Sequence, residues 1–216
     1  MTALNAQVFI NCPFDREYFQ CFEALAFTIA VAGYEPVCAL QDDDFGDVRL
    51  SKLKSMIERC DRSVHDLSRT ESSPQGLPRF NMPFELGMTI GALTYGGARQ
   101  RRKRVLVMVK ERYDMAKFLS DAAGQDPQAH DGSPARVITI VRNHLRHYYS
   151  PDGVLKALPG PQYLIALFSD FKRDLPKLAA AARLRPEELD PFSGGYMDFV
   201  EMLKHFGETT RRAGKL

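Results

Sequence analysis

The chain has 216 residues, a length that fits one domain of about 150 residues with room for an appendage. Hydrophobic residues make up 44% and charged residues 26%, which excludes a wholly disordered chain, a collagen-like repeat and a small disulfide-stapled scaffold. The balance of 29 basic against 27 acidic residues leaves a net charge of +2, too even to argue for nucleic acid as a partner.

Residues 6–11 (AQVFIN) read as a strand, ended by the Cys12-Pro13 step because proline has no N–H for a ladder. Asp15 then caps a helix on which Tyr18, Phe22, Leu25 and Ile29 recur at spacings of four, three and four, and Gly33 stops it. Residues 35–40 (EPVCAL) form a second strand. Asp47 caps a helix whose inward face is Leu50, Leu53 and Ile57. A third strand at 63–67 (SVHDL) runs into a polar loop at 68–78. Asn81 caps the next helix, Pro83 suits its first turn, and Leu86, Ile90 and Leu93 supply its inward face. Gly87 and Gly91 leave one side of that helix bare, ready for a close approach to a sheet. Residues 105–109 (VLVMV) are continuously apolar, as buried parallel strands are. Strands alternating with helices imply an α/β architecture: a parallel sheet of four to five strands covered by helices on both faces.

Beyond Lys110 the strand signal fades. Helices are predicted at 113–123 and 135–149, joined by a polar loop with Asp126, His130 and Gly132. Pro159, Gly160 and Pro161 mark a boundary, so the expected domains are 1–157 and an α-helical extension at 158–216. Within it, Pro176 should kink or split a helix at 162–184, and a last helix at 196–206 precedes a basic, frayed tail.

Several chemistries are set aside. Cys12, Cys21, Cys38 and Cys60 form no CxxC pair, which argues for free thiols in a reducing cytoplasm rather than a zinc or redox site. No basic residue precedes Arg16, as a signal peptide would require, and the apolar stretch at 24–33 falls short of the roughly 20 residues of a membrane span. Neither GxGxxG after the first strand nor GxxxxGK[ST] is present. His130, His144 and His147 lack a carboxylate at matching helical spacing, so no metal is expected. The basic run Arg99, Arg101, Arg102, Lys103 and Arg104 reads first as a solvated loop, and second as a contact surface for a phosphate or an acidic partner.

In a parallel α/β sheet, ligands bind beyond the carboxyl ends of the strands, where the strand order reverses. Three polar clusters fall there: Asn11, Cys12, Pro13, Phe14 and Asp15; then 41–49, with Asp42, Asp43, Asp44, Gly46, Asp47 and Arg49; then Asp66, Leu67, Ser68 and Arg69. The segment 79–85, with Asn81, Met82 and Glu85, opens the following helix at the same edge. Each has a plain structural reading as well. Asp15 and Asp47 suit helix caps, residues 42–44 a solvated loop, and Glu85 a first turn that favours an acid by about 0.3–1 kcal/mol. Asp66 is harder to dismiss, because a carboxylate at the end of a buried strand is costly unless something uses it. His65 beside it reads as a satisfied structural histidine.

The segments VFINCPFD, SVHDLSR and FNMPFELG resemble those of the TIR-like and nucleoside 2-deoxyribosyltransferase-like superfamily, over about residues 6 to 110. That resemblance implies a flavodoxin-like fold and cleavage of N-glycosidic bonds in NAD or nucleosides, with Glu85 at the position of the family's essential glutamate. The chain departs from the pattern in having no tryptophan before that glutamate and no acid within 79–84. Departure of a neutral base needs a general acid, whereas nicotinamide in NAD is already cationic at the bond and leaves without one. The expected activity is therefore hydrolysis of NAD or a related nucleotide, which would serve defence or signalling, with no bound cofactor. Glu85 and Asp66 are the expected catalytic residues, with Glu85 kept ionised by the helix N-terminus. Asn11, Cys12, Pro13, Phe14, Asp15, Arg49, Ser68, Arg69, Asn81 and Met82 are the expected substrate contacts. Arg49 or Arg69 would hold the pyrophosphate, and amides after Asn11 would hold a phosphate. A homo-oligomer or a regulatory protein partner is expected through the helical third. The alternatives are a non-catalytic nucleotide-sensing module, and a nucleoside transferase or hydrolase with Asp66 as the acid.

Overall fold

The structure, a computed structural model, describes residues 7–41, 48–69, 80–113, 115, 119, 126–149 and 155–216. Five strands form one sheet: β1 (Gln7–Asn11), β2 (Glu35–Val37), β3 (Arg62–Asp66), β4 (Arg104–Val109) and β5 (Gln128–Ala129), in the order β2-β1-β3-β4-β5. Strand β1 pairs with β3, β3 with β4 and β4 with β5, all in parallel. Order and direction are those of a flavodoxin-like α/β fold, whose switch point lies between β1 and β3. Among the described residues there are six α-helices: α1 (Phe19–Val31), α2 (Arg49–Arg59), α3 (Asn81–Tyr95), α4 (Pro134–Leu145), α5 (Pro161–Ala181) and α6 (Tyr196–Arg212). Among the described residues no helix is long and apolar enough to cross a membrane.

The chain divides into two compact units, 1–14 with 37–133, and 15–36 with 134–216, rather than at 157. In the first unit, β1 and β3 bury Val8, Phe9, Ile10 and Val64, and α2 and α3 pack on this part of the sheet. Leu53, Met56 and Ile57 of α2 join Phe9 and Val37 in one cluster. Leu50, expected on that face, is 36% exposed, and Met56 takes its place. Leu86 and Met82 of α3 enter a second cluster with Leu67, Val107 and Val109. Gly87 and Gly91 meet no neighbour within 4 Å of where a Cβ would stand, so they mediate no close approach to the sheet.

Much of the basic run caps helices. Lys103 is buried, and its ammonium donates to the carbonyls of Ile57 and Cys60 at the end of α2. Arg99 reaches the Arg59 carbonyl at 2.7 Å and the Asp61 carboxylate at 3.0 Å, while Arg101 donates to the Gly96 carbonyl that ends α3. These cations satisfy carbonyls that a helix terminus leaves open.

In the second unit α1 is the central element. Apart from Gln20, Glu23 and Thr28 it carries no strongly polar side chain, and eleven of its thirteen residues are buried; a helix of that composition belongs inside a core. Phe22 packs near Phe192, Tyr196 and Phe199, and Phe27 near Phe168, Phe171 and Phe206. The C-terminal helices thus enclose α1 and are not a separate appendage. Glu23 is paired with Lys172 at 3.0 Å. Gly33, at φ +84°, ends the helix as expected, with Tyr34 N–H donating to Ile29 and Gly33 N–H to Ala30.

Three further expectations are corrected. The helix predicted to reach 149 stops at Leu145, and β6 (His147–Tyr149) pairs antiparallel with β7 (Leu155–Ala157). Helix α5 runs on through Pro176, and α6 continues to Arg212 instead of fraying after 206. The predicted cap Asp47, the acidic residues 42–44 and most of the helix at 113–123 lie outside the described residues.

Candidate functional site

The geometry centres on the carboxyl edge of β1 and β3. Asn11 and His65 stand opposite each other in the β1–β3 register. The Asn11 amide donates to His65 Nδ1 at 3.0 Å and to the Met82 carbonyl, in the first turn of α3, at 2.8 Å. Because His65 accepts at Nδ1, its proton sits on Nε2 and is donated to Ser63 Oγ at 3.1 Å. Burial pushes the His65 pKa down to about 3, so the ring is neutral and structural. Asn11 is therefore a bolt that fixes the start of α3 to the end of β1. Both hydrogens of its amide nitrogen are committed inside the protein, which gives Asn11 a positioning role.

Helix α3 carries Glu85, only 7% exposed. Asn81 is the first helical residue and Phe80 occupies the cap position, so Asn81 does not cap the helix and Glu85 lies in its second turn. The dipole contribution falls off within the first turn. Among the described residues the Glu85 carboxyl has no hydrogen-bond partner, and Arg49, at the start of α2, is the cation whose charge reaches it. Burial outweighs that cation and raises the Glu85 pKa to about 7. The glutamate is thus not held ionised by the helix end. Near neutral pH it is divided between acid and base.

This shift makes a prediction that needs no substrate. The folded value, about 7, lies above the ordinary value of 4.5. Between those values the folded chain holds a proton that the unfolded chain has released, so stability falls as pH rises through that window. Glu85→Gln removes the penalty. In urea denaturation it should be more stable than the wild type by about 2–3 kcal/mol at pH 8, with the difference vanishing near pH 4. A variant destabilised at both pH values would count against the buried, unpartnered carboxyl.

Asp66 differs in every respect. It is fully buried, and Oδ1 accepts both the amide of Ser68, at 2.9 Å, and the Ser68 hydroxyl. Its Oδ2 lies 3.1 Å from Nε2 of His130, which also lies 2.7 Å from Ser68 Oγ. His130 Nδ1 accepts the Gly132 amide at 3.1 Å. What uses the acid at the end of β3 is thus a buried hydrogen-bonded cluster reaching past β4 to the residue after β5. Serine, histidine and aspartate together suggest a nucleophilic triad, but the connectivity excludes one. Serine and aspartate share the same ring nitrogen, and the other nitrogen accepts a backbone N–H, so no free base faces the hydroxyl.

The remaining expected contacts are dispersed by role. Cys12 and Pro13 are buried and Phe14 is half-buried. Asp15 belongs to the other unit, where its carboxylate accepts the Tyr18 amide at 3.1 Å in the turn before α1. The Tyr18 and Phe19 amides donate to the carbonyls of Asp15 and Arg16, and the helix begins at Phe19, so no helix N-terminus follows directly on Asn11. Met82 packs in the core through its side chain. Asn81 and Arg49 are exposed and Arg69 is half-buried. His130 is the residue that sequence reasoning missed; its signal, a histidine directly after a short strand, was too faint to tie to Asp66. Among the described residues no group of histidines, cysteines and acids is arranged to hold a metal. Comparison with protein-family models, curated proteins and solved structures finds no match to the chain.

Proposed function

We propose that this protein cleaves the N-glycosidic bond of NAD or a closely related nucleotide, with Glu85 as the catalytic carboxylate. The observation that carries the reading is Glu85 itself: buried, without a hydrogen-bond partner among the described residues, and one helical turn in from the bolt that ties α3 to the switch-point edge. A carboxyl held in this costly state is a signature of a working group. The resemblance of VFINCPFD, SVHDLSR and FNMPFELG to the TIR-like and deoxyribosyltransferase-like superfamily supports the same choice.

As the C1′–N bond breaks, its electron pair passes to the nicotinamide nitrogen, which becomes neutral, and positive charge gathers on the ribose. The Glu85 carboxylate stabilises that charge, and water attacks C1′ and releases a proton, giving nicotinamide and ADP-ribose. A cationic ring beside Glu85 also favours its ionised form, so substrate binding draws the group into the state the reaction needs. Arg49 and Arg69 supply charge for the pyrophosphate. Asp66 positions the β3 loop through Ser68 and His130 and does not touch the ribose.

One observation favours a second reading. A glutamate that titrates near 7 can also act as a general acid and protonate a neutral base, as cleavage of an ordinary nucleoside requires. Incubation of the protein with NAD, with release of nicotinamide followed by chromatography, tests the first reading. Release by the wild type and none by Glu85→Gln is expected. No release at high protein concentration, with base released from a nucleoside instead, would replace it by the second.

A further inference from the structure

We infer that the amino edge of the sheet, where β3 and β4 begin, binds the sugar-phosphate chain of a single-stranded nucleic acid. The basic residues of the first unit gather at that edge: Arg59 and Arg62 where α2 passes into β3, and residues 99–104 where α3 passes into β4. No acid occurs between Glu85 and Glu111. The edge carries seven cations against two acids, Glu58 and Asp61, a net +5 in a chain whose total is +2, so the rest of the chain stands at −3. Holding helix ends accounts for only part of this charge. Lys103, Arg99 and Arg101 are taken by carbonyls at the ends of α2 and α3, and Asp61 is taken by Arg99. Among the described residues the side chains of Arg59, Arg102 and Arg104 make no hydrogen bond or ion pair, and the Arg59 Nε is buried without one. Arg104 also lies directly across from Arg62 in the β3–β4 register. Neighbouring strands stand about 4.8 Å apart, and like charges so placed repel. A phosphate between guanidinium groups converts that repulsion into charge-assisted hydrogen bonds.

Two features together select a single strand as the occupant. Six of the seven cations are arginine, whose planar fork matches phosphate in a way that lysine does not. Beside them stands an open aromatic ring. Tyr95, the last residue of α3, is 87% exposed, and Arg101 returns to the carbonyl of the next residue, Gly96, at 2.9 Å. A base stacks on such a ring while its phosphates meet the arginines. A duplex keeps its bases stacked within itself and an acidic peptide has none, so either would leave the ring unused. A lipid surface calls for apolar side chains that enter it, and residues 96–104 hold none larger than Ala98.

The test is fluorescence anisotropy of a labelled single-stranded RNA of mixed sequence, about 15 nucleotides long, titrated with the full chain. A Kd of roughly 1–100 μM is expected near physiological salt, with log K falling linearly in log salt at a slope of about −2, or about −0.7 for each of the three unpartnered arginines. Arg102→Gln combined with Arg104→Gln alters exposed side chains only and should keep the wild-type circular-dichroism spectrum. It should weaken binding about tenfold or more and bring the slope to about −0.7. Tyr95→Ala should weaken binding about fivefold or more, the worth of one stacked base, and leave the slope unchanged. Lys110→Gln, about 20 Å away just past the far end of β4, should change neither. Absence of binding at low salt would overturn the inference, as would binding that the double glutamine variant retains in full. Equal affinity for a duplex of the same sequence, undiminished by Tyr95→Ala, would overturn the single strand in favour of the duplex. Binding to phosphatidylserine vesicles without binding to RNA would overturn it in favour of a membrane.

Discussion

Glu85→Gln should lower NAD cleavage by at least about 10²–10³-fold, the scale of removing one electrostatic stabiliser of a transition state. The pH profile makes that expectation specific. The free enzyme must carry Glu85 ionised, and its pKa stands near 7 because burial opposes the charge more than Arg49 favours it. The wild-type kcat/KM should therefore rise about tenfold per pH unit well below 7 and level off above it. On the proposed reading, a cationic nicotinamide ring bound beside the carboxyl would favour its ionised form. The limb in kcat should accordingly lie at lower pH than the limb in kcat/KM. Arg49→Gln removes the cation that holds the value down, and should move the kcat/KM limb upward. A profile that falls as pH rises through 7 would mean that the protonated form works, and would transfer the case to a nucleoside and a general-acid role.

The contrast between Glu85 and Asp66 shows what a sequence can and cannot convey. Both acids were legible as candidates, because Asp66 closes a strand and Glu85 comes early in the helix that follows it, in a chain whose β1 and β4 are largely apolar runs. Their states were not legible. The dipole argument for Glu85 depended on a helix start, and a start one residue earlier places the group just past the first turn, on the buried side of the helix. The partner of Asp66 is fixed by topology: His130 lies 62 residues beyond Ser68 and comes near only because β5 is added outside β4. Strand β5 has two residues and β6 and β7 three each, too short for any periodicity to register. Pro176 argued for a break, yet it removes one backbone donor from a helix of 21 residues whose burial of Leu164, Leu167, Phe168 and Phe171 outweighs that loss. Helix α1 showed its stripe in the sequence, but its largely apolar character, which makes it the centre of the second unit, carries the larger message.

His130→Ala should destabilise the protein by about 3 kcal/mol or more, because it deprives a fully buried carboxylate of one of its donors and leaves a void. The hydrogen bonds fix the sense of each proton. Gly132 N–H points at Nδ1, so the neutral ring carries its proton on Nε2 and gives it to the Asp66–Ser68 pair, while the Ser68 hydroxyl donates to Asp66. The cluster is a clamp between the loops after β3 and β5, and its members should be strongly coupled. In a double-mutant cycle, Asp66→Ala with His130→Ala should lose less than the two single losses combined, since the second truncation removes a group the first has already orphaned. Ser68→Ala separates this role from catalysis. It should cost stability while retaining nicotinamide release in the protein that remains folded, because the Ser68 hydroxyl faces no free base. An unfolding free energy within about 0.5 kcal/mol of the wild type for His130→Ala would refute the clamp. Loss of turnover in a fully folded Ser68→Ala variant would instead bring Ser68, and with it the β3 loop, into direct contact with the reacting bond.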